Sequence, residues 1–161
     1  MTENYIKNIL FIGIGGQGII LASDILTEAA FLSGFDVKKS EIHGMSQRGG
    51  SVCSDVRYGT KIYSPIIPDG KVDILVALEP DEIERYKNHL APNAKIIQAD
   101  EKLKAELPHP KTLNIAMLGM ISRELDNDIN KENWLKAMSN KIKEKMIDVN
   151  TKAFELGRKL M

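Results

Sequence analysis

Cysteine is almost absent from this sequence, because Cys53 is the only one among 161 residues. A single thiol excludes an internal disulfide bond, and it excludes an iron–sulfur cluster or a structural zinc ligated by thiolates of this chain alone. The three histidines, His43, His89 and His109, are too scattered in the sequence to indicate a metal site. Any redox centre that this protein works with is therefore expected in another chain.

An excess of charge is also lacking, because 22 Lys and Arg residues balance 22 Asp and Glu residues. Without a basic field, the chain is not expected to hold nucleic acid by counterion release. No apolar run reaches the roughly 18 residues that indicate a membrane-spanning helix. Residues 1–7 are polar and lead directly into a strand pattern, so no cleavable signal segment is predicted. These absences predict a cytoplasmic protein that binds neither nucleic acid nor a membrane.

A Rossmann-like α/β fold is predicted, because strand patterns alternate with helix patterns along the chain. Strands are predicted at residues 9–12, 36–42, 50–58, 72–78 and 94–98, with a short return strand at 61–63. Helices are predicted at about residues 17–33, 80–90, 113–121, 134–146 and 150–160. The result is one domain over residues 1–161, with a mostly parallel sheet and helices on both faces. At about 36–63 an irregular strand–loop–strand insertion interrupts this pattern, because no helix separates its strands.

Two segments are unusually apolar for their predicted positions. Residues 113–121 are apolar on nearly all sides, which predicts a buried helix with Gly119 at a close contact. Residues 64–70 form a loop with two prolines and a glycine, in which Ile66 and Ile67 must pack against something. We expect these two segments to leave an apolar patch on the isolated chain that a partner covers.

A first glycine loop lies between the first predicted strand and the first predicted helix. Gly13, Gly15 and Gly18 have the G-x-G-x-x-G spacing in the context that gives this motif its meaning. Glycines let backbone amides approach an anion, and the helix N-terminus adds about half a positive charge. An anion-binding loop is therefore predicted at Gly13, Gly15, Gly16, Gln17 and Gly18. The alternative is that these glycines only permit a tight turn and close helix–sheet packing.

A nicotinamide or flavin dinucleotide is a less suitable ligand for this loop. Such a ligand needs an acidic residue about 20 residues further on, where it holds the ribose hydroxyls. Glu41 is the available candidate, but the chain continues at once into a bulky polar segment, residues 43–46, instead of an ordinary second crossover. Anion binding without a dinucleotide is therefore the favoured interpretation.

A second, polar loop at residues 43–52 runs into an apolar strand and is expected to meet the glycine loop near one edge of the sheet. Arg48 stands between Gln47 and two glycines, which suits bidentate binding of a carboxylate or phosphate. The alternative is that Arg48 and His43 hold the loop to its own backbone or to a partner chain. No nucleophile with a base and an orienting group can be identified, so no catalytic residue is predicted. The candidate residues for a substrate or a partner are His43, Ser46, Gln47, Arg48, Gly49 and Gly50.

Both loops resemble those of a known family, the γ-type domain of 2-oxoacid:ferredoxin oxidoreductases, also called the pyruvate/ketoisovalerate oxidoreductase γ type. The resemblance includes residues 13–18 and 41–52, and it extends to Tyr63-Ser64-Pro65 and to the closing residues Asn150, Ala153, Phe154 and Gly157. The His-Gly-Met-Ser-Gln-Arg-Gly-Gly form of the second loop is most similar to the β subunit type that acts on indolepyruvate. The resemblance spans nearly the whole chain, although the C-terminal region is short.

This resemblance implies a subunit of an enzyme that decarboxylates a 2-oxoacid, most similar to those using arylpyruvates, to its acyl-CoA and CO₂. Two electrons would pass singly to ferredoxin. Thiamine diphosphate and iron–sulfur clusters would reside in a larger partner subunit, so the chain is expected to be inactive alone. CoA is the implied co-substrate and makes the glycine loop a candidate CoA site. The alternative is a stand-alone nucleotide- or CoA-binding module without redox chemistry.

Overall fold

One five-stranded sheet forms the centre of the protein in a computed structural model, which describes residues 3–43 and 50–161. The strands are β1 (Ile6–Ile14), β2 (Asp36–His43), β3 (Ser51–Gly59), β4 (Val72–Ala77) and β5 (Leu90–Gln98). Their order in the sheet is β2-β3-β1-β4-β5. β4 pairs in parallel with β1 and with β5, whereas β3 pairs antiparallel with both β1 and β2. Four of these strands therefore point the same way and β3 is reversed, which confirms the mostly parallel, Rossmann-like α/β prediction.

The α-helices are α1 (Ile19–Leu32), α2 (Glu101–Glu106), α3 (Leu113–Glu124), α4 (Lys131–Lys141) and α5 (Ile147–Lys159). Three 3₁₀ helices cover Pro80–His89, Pro110–Thr112 and Glu144–Met146. The helix predicted from Pro80 is thus a 3₁₀ helix. The sequence analysis missed α2, since its six residues bury only Leu103 and are too few for a helical period. The return strand at 61–63 was a wrong prediction, because the Ile62 amide donates to Asp36 Oδ2 (2.7 Å) instead of joining a strand ladder.

The two faces of the sheet are covered very unequally. On one face, residues such as Ile9 and Phe11 pack with the α-helices into a large core. On the other, Leu10, Ile12 and Leu75 form a small core. The 3₁₀ helix Pro80–His89 packs against this small core through partly buried side chains. Helices thus lie on both faces, as predicted, but the second face has a thinner cover.

Close packing of α3 against α5 explains the apolar segment 113–121. Five of its residues are completely buried, namely Ile115, Ala116, Met117, Leu118 and Ile121. A Cβ atom on Gly119 would lie 2.1 Å from the Phe154 carbonyl oxygen, so the predicted buried helix with a close glycine contact is confirmed. The expectation that a partner covers this segment was wrong, because α5 of the same chain covers it.

The loop after β3 is irregular but firmly attached to the second face, as predicted. Arg57, only 9% exposed, donates from Nη1 to the carbonyl oxygens of Ser64 (2.9 Å) and Ile66 (3.2 Å). The Ile67 amide donates to Asp55 Oδ2 (2.9 Å), and burial raises the pKa of this carboxyl group. Ile67 is buried, whereas the Ile66 side chain remains 61% exposed. The predicted packing is therefore confirmed for Ile67 and wrong for Ile66, which supplies the apolar exposure expected of this loop.

A shared carboxylate connects the start of β1 and the end of β3 to the loop between α3 and α4. Asp128 Oδ2 accepts hydrogen bonds from the hydroxyl groups of Tyr5 (2.6 Å) and Tyr58 (2.7 Å). Tyr58 is completely buried. Burial, and then the Asp128 carboxylate, raise the pKa of Tyr58 far above its ordinary value. The hydroxyl group of Tyr58 therefore stays protonated in the folded chain.

We expect Tyr58→Phe to lower the free energy of unfolding at pH 7 by about 1.5–3 kcal/mol, the usual contribution of a hydrogen bond to a charged group. This deficit should shrink above about pH 10, where a tyrosine in the unfolded chain ionises while folded Tyr58 does not. The stability from the raised pKa is complete below pH 10 and is lost as pH rises further. Urea unfolding at pH 7 and pH 11 measures both effects, with the exposed Tyr63→Phe as control. Equal deficits at both pH values would contradict this account.

Candidate functional site

The two predicted loops meet where β1 ends. The Gly15 amide donates to the Gly50 carbonyl oxygen (2.9 Å), and Ile14 lies opposite Ser51 in the β1–β3 ladder. A shallow cavity of about 450 Å³ lies between the loops. It is lined by Ile14, Gly15, Gly16, Gly18, Ile19, Ile20, His43 and Val52. The structure thus brings the glycine loop together with both ends of the polar loop, at the carboxyl ends of β1 and β2.

Individual glycines of the first loop have different roles. Gly16 (φ 93°) and Gly18 (φ 79°) have left-handed backbone conformations that favour glycine. Gly13 is instead a strand residue, and a Cβ atom on it would lie 2.6 Å from Gln17 Oε1. A Cβ atom on Gly18 would lie 2.3 Å from Asn114 Nδ2. Close packing, the alternative raised for this motif, therefore accounts for Gly13 and contributes at Gly18.

The N-terminal end of α1 carries the positive end of the helix dipole toward the two loops. Its first turn carries no acidic residue, and no side chain caps it. The amides of Gly18, Ile19 and Ile20 have no hydrogen-bond partner within residues 3–43 and 50–161. Such unpaired donors at a helix start suit an anion. By contrast, the Gln17 side chain is turned inward, where its Oε1 accepts from the Ile14 amide (2.8 Å).

A groove of about 650 Å³ opens beside this helix end. It is lined by Gly16, Gln17, Gly18, Leu21, Lys104, Leu107, Pro110, Lys111, Leu113 and Asn114. Asn114, 5% exposed, donates from Nδ2 to the Gly18 carbonyl oxygen (3.1 Å). Its Oδ1 is buried and has no hydrogen-bond partner in the part of the chain that the structure describes. The groove thus offers amides and two lysines to an anion, an apolar wall, and one acceptor to an N–H or O–H group.

Sequence reasoning missed Asn114, Lys104 and Lys111. Asn114 lies 96 residues from Gly18 and sits in a helix that had been interpreted only as apolar core. Lys104 belongs to α2, which was not predicted. The remaining signal in the sequence is Asn114 itself, because an amide side chain within an apolar helix needs a hydrogen-bond partner.

His43 and Glu41 lie on the face of β2 that points toward α1. His43 is 60% exposed, and its Nε2 is 3.5 Å from Glu41 Oε2. A hydrogen bond from Lys39 is the main cause that lowers the pKa of Glu41, and Lys39 also pairs with Asp24 of α1 (2.5 Å). Glu41 is therefore engaged by Lys39 and His43, which argues against its predicted alternative role as a ribose ligand.

Ser46, Gln47, Arg48 and Gly49 lie outside the described residues, so their assignment stays a prediction. The chain resumes with Gly50, whose carbonyl oxygen accepts from Gly15 as described above.

The exit of the polar loop is held by a small polar cluster. Ser51 Oγ donates to Glu82 Oε2 (2.9 Å) and accepts from Arg85 Nη1 (2.8 Å). Arg85 also lies 3.0 Å from the same Glu82 oxygen. Since Glu82 and Arg85 belong to the 3₁₀ helix that follows β4, this segment fixes the start of β3.

Across residues 3–43 and 50–161, no group of three or more His, Cys, Asp or Glu side chains is arranged to hold a metal ion. No helix in these residues has the length and apolar character needed to cross a bilayer. Cys53 is buried, and burial raises the pKa of its thiol.

Comparison with known proteins identifies the family. The family described as pyruvate ferredoxin/flavodoxin oxidoreductase matches residues 8–108 and 99–160. Indolepyruvate oxidoreductase subunit IorB from Thermococcus kodakarensis is 33% identical over 94% of this chain and 94% of its own length. The IorB subunit from Pyrococcus horikoshii is 32% identical with the same two coverages. The γ subunit of a keto/oxoacid ferredoxin oxidoreductase from Geobacter sulfurreducens superimposes with a TM-score of 0.73 at 28% identity, over 95% of this chain and 96% of that one. As the resemblance of its two loops implied, the chain belongs to the pyruvate ferredoxin/flavodoxin oxidoreductase family.

Proposed function

We propose that this chain is the CoA-contacting subunit of a complex that oxidatively decarboxylates an arylpyruvate and passes the electrons to ferredoxin. The reaction consumes the 2-oxoacid anion, CoA and two oxidised ferredoxins, and it yields acyl-CoA, CO₂, two reduced ferredoxins and one proton. The two IorB relatives support indolepyruvate as the substrate class. A larger partner subunit holds thiamine diphosphate, which supplies the decarboxylation chemistry, together with iron–sulfur clusters through which ferredoxin is reduced.

The groove at the start of α1 is the observation that carries this proposal. CoA is a polyanion with an adenine at one end and a flexible arm ending in a thiol at the other. Its phosphates fit the amides at the start of α1, where Gly16 and Gly18 line both the groove and the smaller cavity to which Ile19 and Ile20 belong. Lys104 and Lys111 add positive charge in the groove. A simple inorganic anion would use these donors but not the apolar wall of the groove.

Asn114 Oδ1 adds a requirement that adenine satisfies. A buried acceptor without a partner costs about 1–3 kcal/mol, so a ligand that donates a hydrogen bond there gains that amount. The exocyclic amino group of adenine is such a donor, and the rings can lie against Leu107 and Leu113. This chain would then bind and orient CoA, and the thiol of CoA would reach the reaction centre of the partner. The stand-alone module is not favoured, because the relatives compared above are named subunits.

The lysines test this proposal directly. We expect the double variant Lys104→Ala, Lys111→Ala to weaken CoA binding to the full chain about tenfold, because exposed lysines each contribute modestly to holding phosphate. Titration calorimetry at low and physiological salt measures the dissociation constant. The salt dependence should be smaller for the variant than for the unmodified chain, since fewer charged contacts remain.

Lys102→Ala is the matched control, because Lys102 is an exposed residue of the same helix outside the groove. This control should leave the CoA affinity unchanged. Equal losses of CoA affinity in the double variant and in Lys102→Ala would indicate attraction by net charge only. Absence of measurable CoA binding by the unmodified chain would overturn the proposal.

A further inference from the structure

Glu79, the second residue after β4, contacts the glycine loop through one intermediary side chain. Gln17 Nε2 donates to Glu79 Oε2 (3.3 Å), while Gln17 Oε1 accepts from the Ile14 amide (2.8 Å). The Gln17 side chain thus bridges the end of β1 and the end of β4. Both Gln17 and Glu79 are half-buried, and Gln17 also lines the groove, so the bridge adjoins the proposed ligand site.

The bridge replaces a strand pairing that ends at this point. The Leu78 amide still donates to the Ile12 carbonyl oxygen (2.9 Å), in the parallel pattern of β1 and β4. β4 ends before it can pair with Ile14, whose amide bonds to Gln17 Oε1 instead. Gly13 belongs to the same arrangement, because the Gln17 amide group occupies the space that a Cβ atom would need.

We propose that Glu79 is a positioning residue for the anion site: acting through Gln17, it holds the glycine loop and with it the amides at the start of α1 that are assigned to the anion. The loop amides divide into two sets. Those of Ile14, Gly15 and Gln17 make hydrogen bonds within the loop or to Gly50. The amides of Gly16 and of residues 18–20 make none within the described residues, and those of residues 18–20 are the donors assigned to the ligand. The proposal relies on the proposed function only for the identity of that ligand as CoA.

Because Glu79 is negatively charged, the direction of the change in CoA affinity on its removal distinguishes a positioning role from a purely electrostatic one. A carboxylate close to an anion site should weaken anion binding, so its removal should strengthen binding if charge alone matters. If Glu79 positions the loop, Glu79→Ala should weaken binding despite the favourable change in charge. Glu79→Gln keeps an acceptor for Gln17 Nε2 and should bind at least as well as the unmodified chain.

The experiment uses the full chain and two readouts. We expect Glu79→Ala to reduce CoA affinity about fivefold and to accelerate hydrogen exchange of the Ile14 amide about tenfold, in keeping with loss of one hydrogen bond. Gln17→Glu should have the same effects, because it sets two carboxylates against each other. Gln17→Glu combined with Glu79→Gln restores a donor and an acceptor with their positions exchanged, so both readouts should return to within about twofold of their original values.

Asp81→Ala is the charge control, because Asp81 is exposed, lies two residues from Glu79 and makes no side-chain hydrogen bond within the described residues. It should leave Ile14 exchange unchanged and should not weaken CoA binding. Unchanged Ile14 exchange in Glu79→Ala, or failure of the exchanged pair to restore it, would overturn the positioning role. Because amide exchange needs no ligand, this result stands even if the unmodified chain binds no CoA, which would overturn only the proposed function.

Discussion

Gly157→Ala is expected to destabilise the chain by at least about 3 kcal/mol, the upper end of the usual cost of overpacking a core. A Cβ atom at this position would lie 1.7 Å from the Ala116 carbonyl oxygen and 2.8 Å from its carbonyl carbon. Both atoms belong to the backbone of α3, so no side-chain rotation relieves the contact. Helix propensity acts in the opposite direction, since alanine is favoured over glycine by about 1 kcal/mol inside a helix. The packing cost should therefore exceed the gain in helix propensity, so Gly157→Ala lowers the free energy of unfolding.

Urea unfolding followed by circular dichroism measures this effect. Gly119→Ala should destabilise the chain in the same way from the facing helix, because its Cβ atom would lie 2.1 Å from the Phe154 carbonyl oxygen. Lys152→Ala, an exposed change on α5, should remain within about 0.5 kcal/mol of the original stability. If Gly157→Ala were as stable as the original chain, α3 and α5 could not be packed as closely as described.

The second large effect concerns activity: the isolated chain should give no turnover with arylpyruvate, CoA and ferredoxin, and activity should appear when the larger subunit is added. The chain has one cysteine, which is buried and cannot ligate an iron–sulfur cluster by itself. Reduction of ferredoxin is followed spectroscopically for each subunit alone and for the mixture. Turnover by the chain on its own would contradict the proposed division of roles.

Cys53→Ser in the assembled complex is the control for that experiment. The thiol is buried against the small core on the second face of the sheet, away from the groove. Burial raises its pKa, which disfavours the reactive thiolate. The variant complex should therefore keep full activity per folded enzyme. A loss of activity would mean that the single cysteine has a role that its surroundings do not suggest.

Local patterns predicted most of the fold. The apolar run before Gly13 identified β1, and the alternation of Val52, Ser54, Val56 and Tyr58 identified β3, because strands depend on period and neighbouring turns. The prediction failed where distant residues decide the local structure. The segment at 61–63 is held by Asp36, and the hydroxyl group of Tyr58 meets Asp128 70 residues away.

The candidate site was predictable only in part for the same reason. The glycine loop has its own signature, and its meeting with the polar loop follows from the order of the strands. The groove does not, because it forms when the start of α3 packs beside the start of α1 and brings Asn114 to Gly18. No spacing in the sequence encodes that pairing. Glu79 falls between the predicted strand at 72–78 and the predicted helix at 80–90, and its link to Gln17 could not be predicted because it depends on β4 lying beside β1.

Because β3 is reversed, the connection between β2 and β3 is a segment that can be replaced without changing the order of the strands. Since β2 and β3 are antiparallel neighbours, His43 and Val52 lie opposite each other, and whatever connects them begins and ends at the same point of the sheet. Doubling the length of such a connection costs only about 0.6 kcal/mol in loop-closure entropy. The connection can therefore change in length or sequence at little entropic cost while the sheet keeps its pairing. For protein engineering, residues 44–50 are the natural segment to graft from one family member to another.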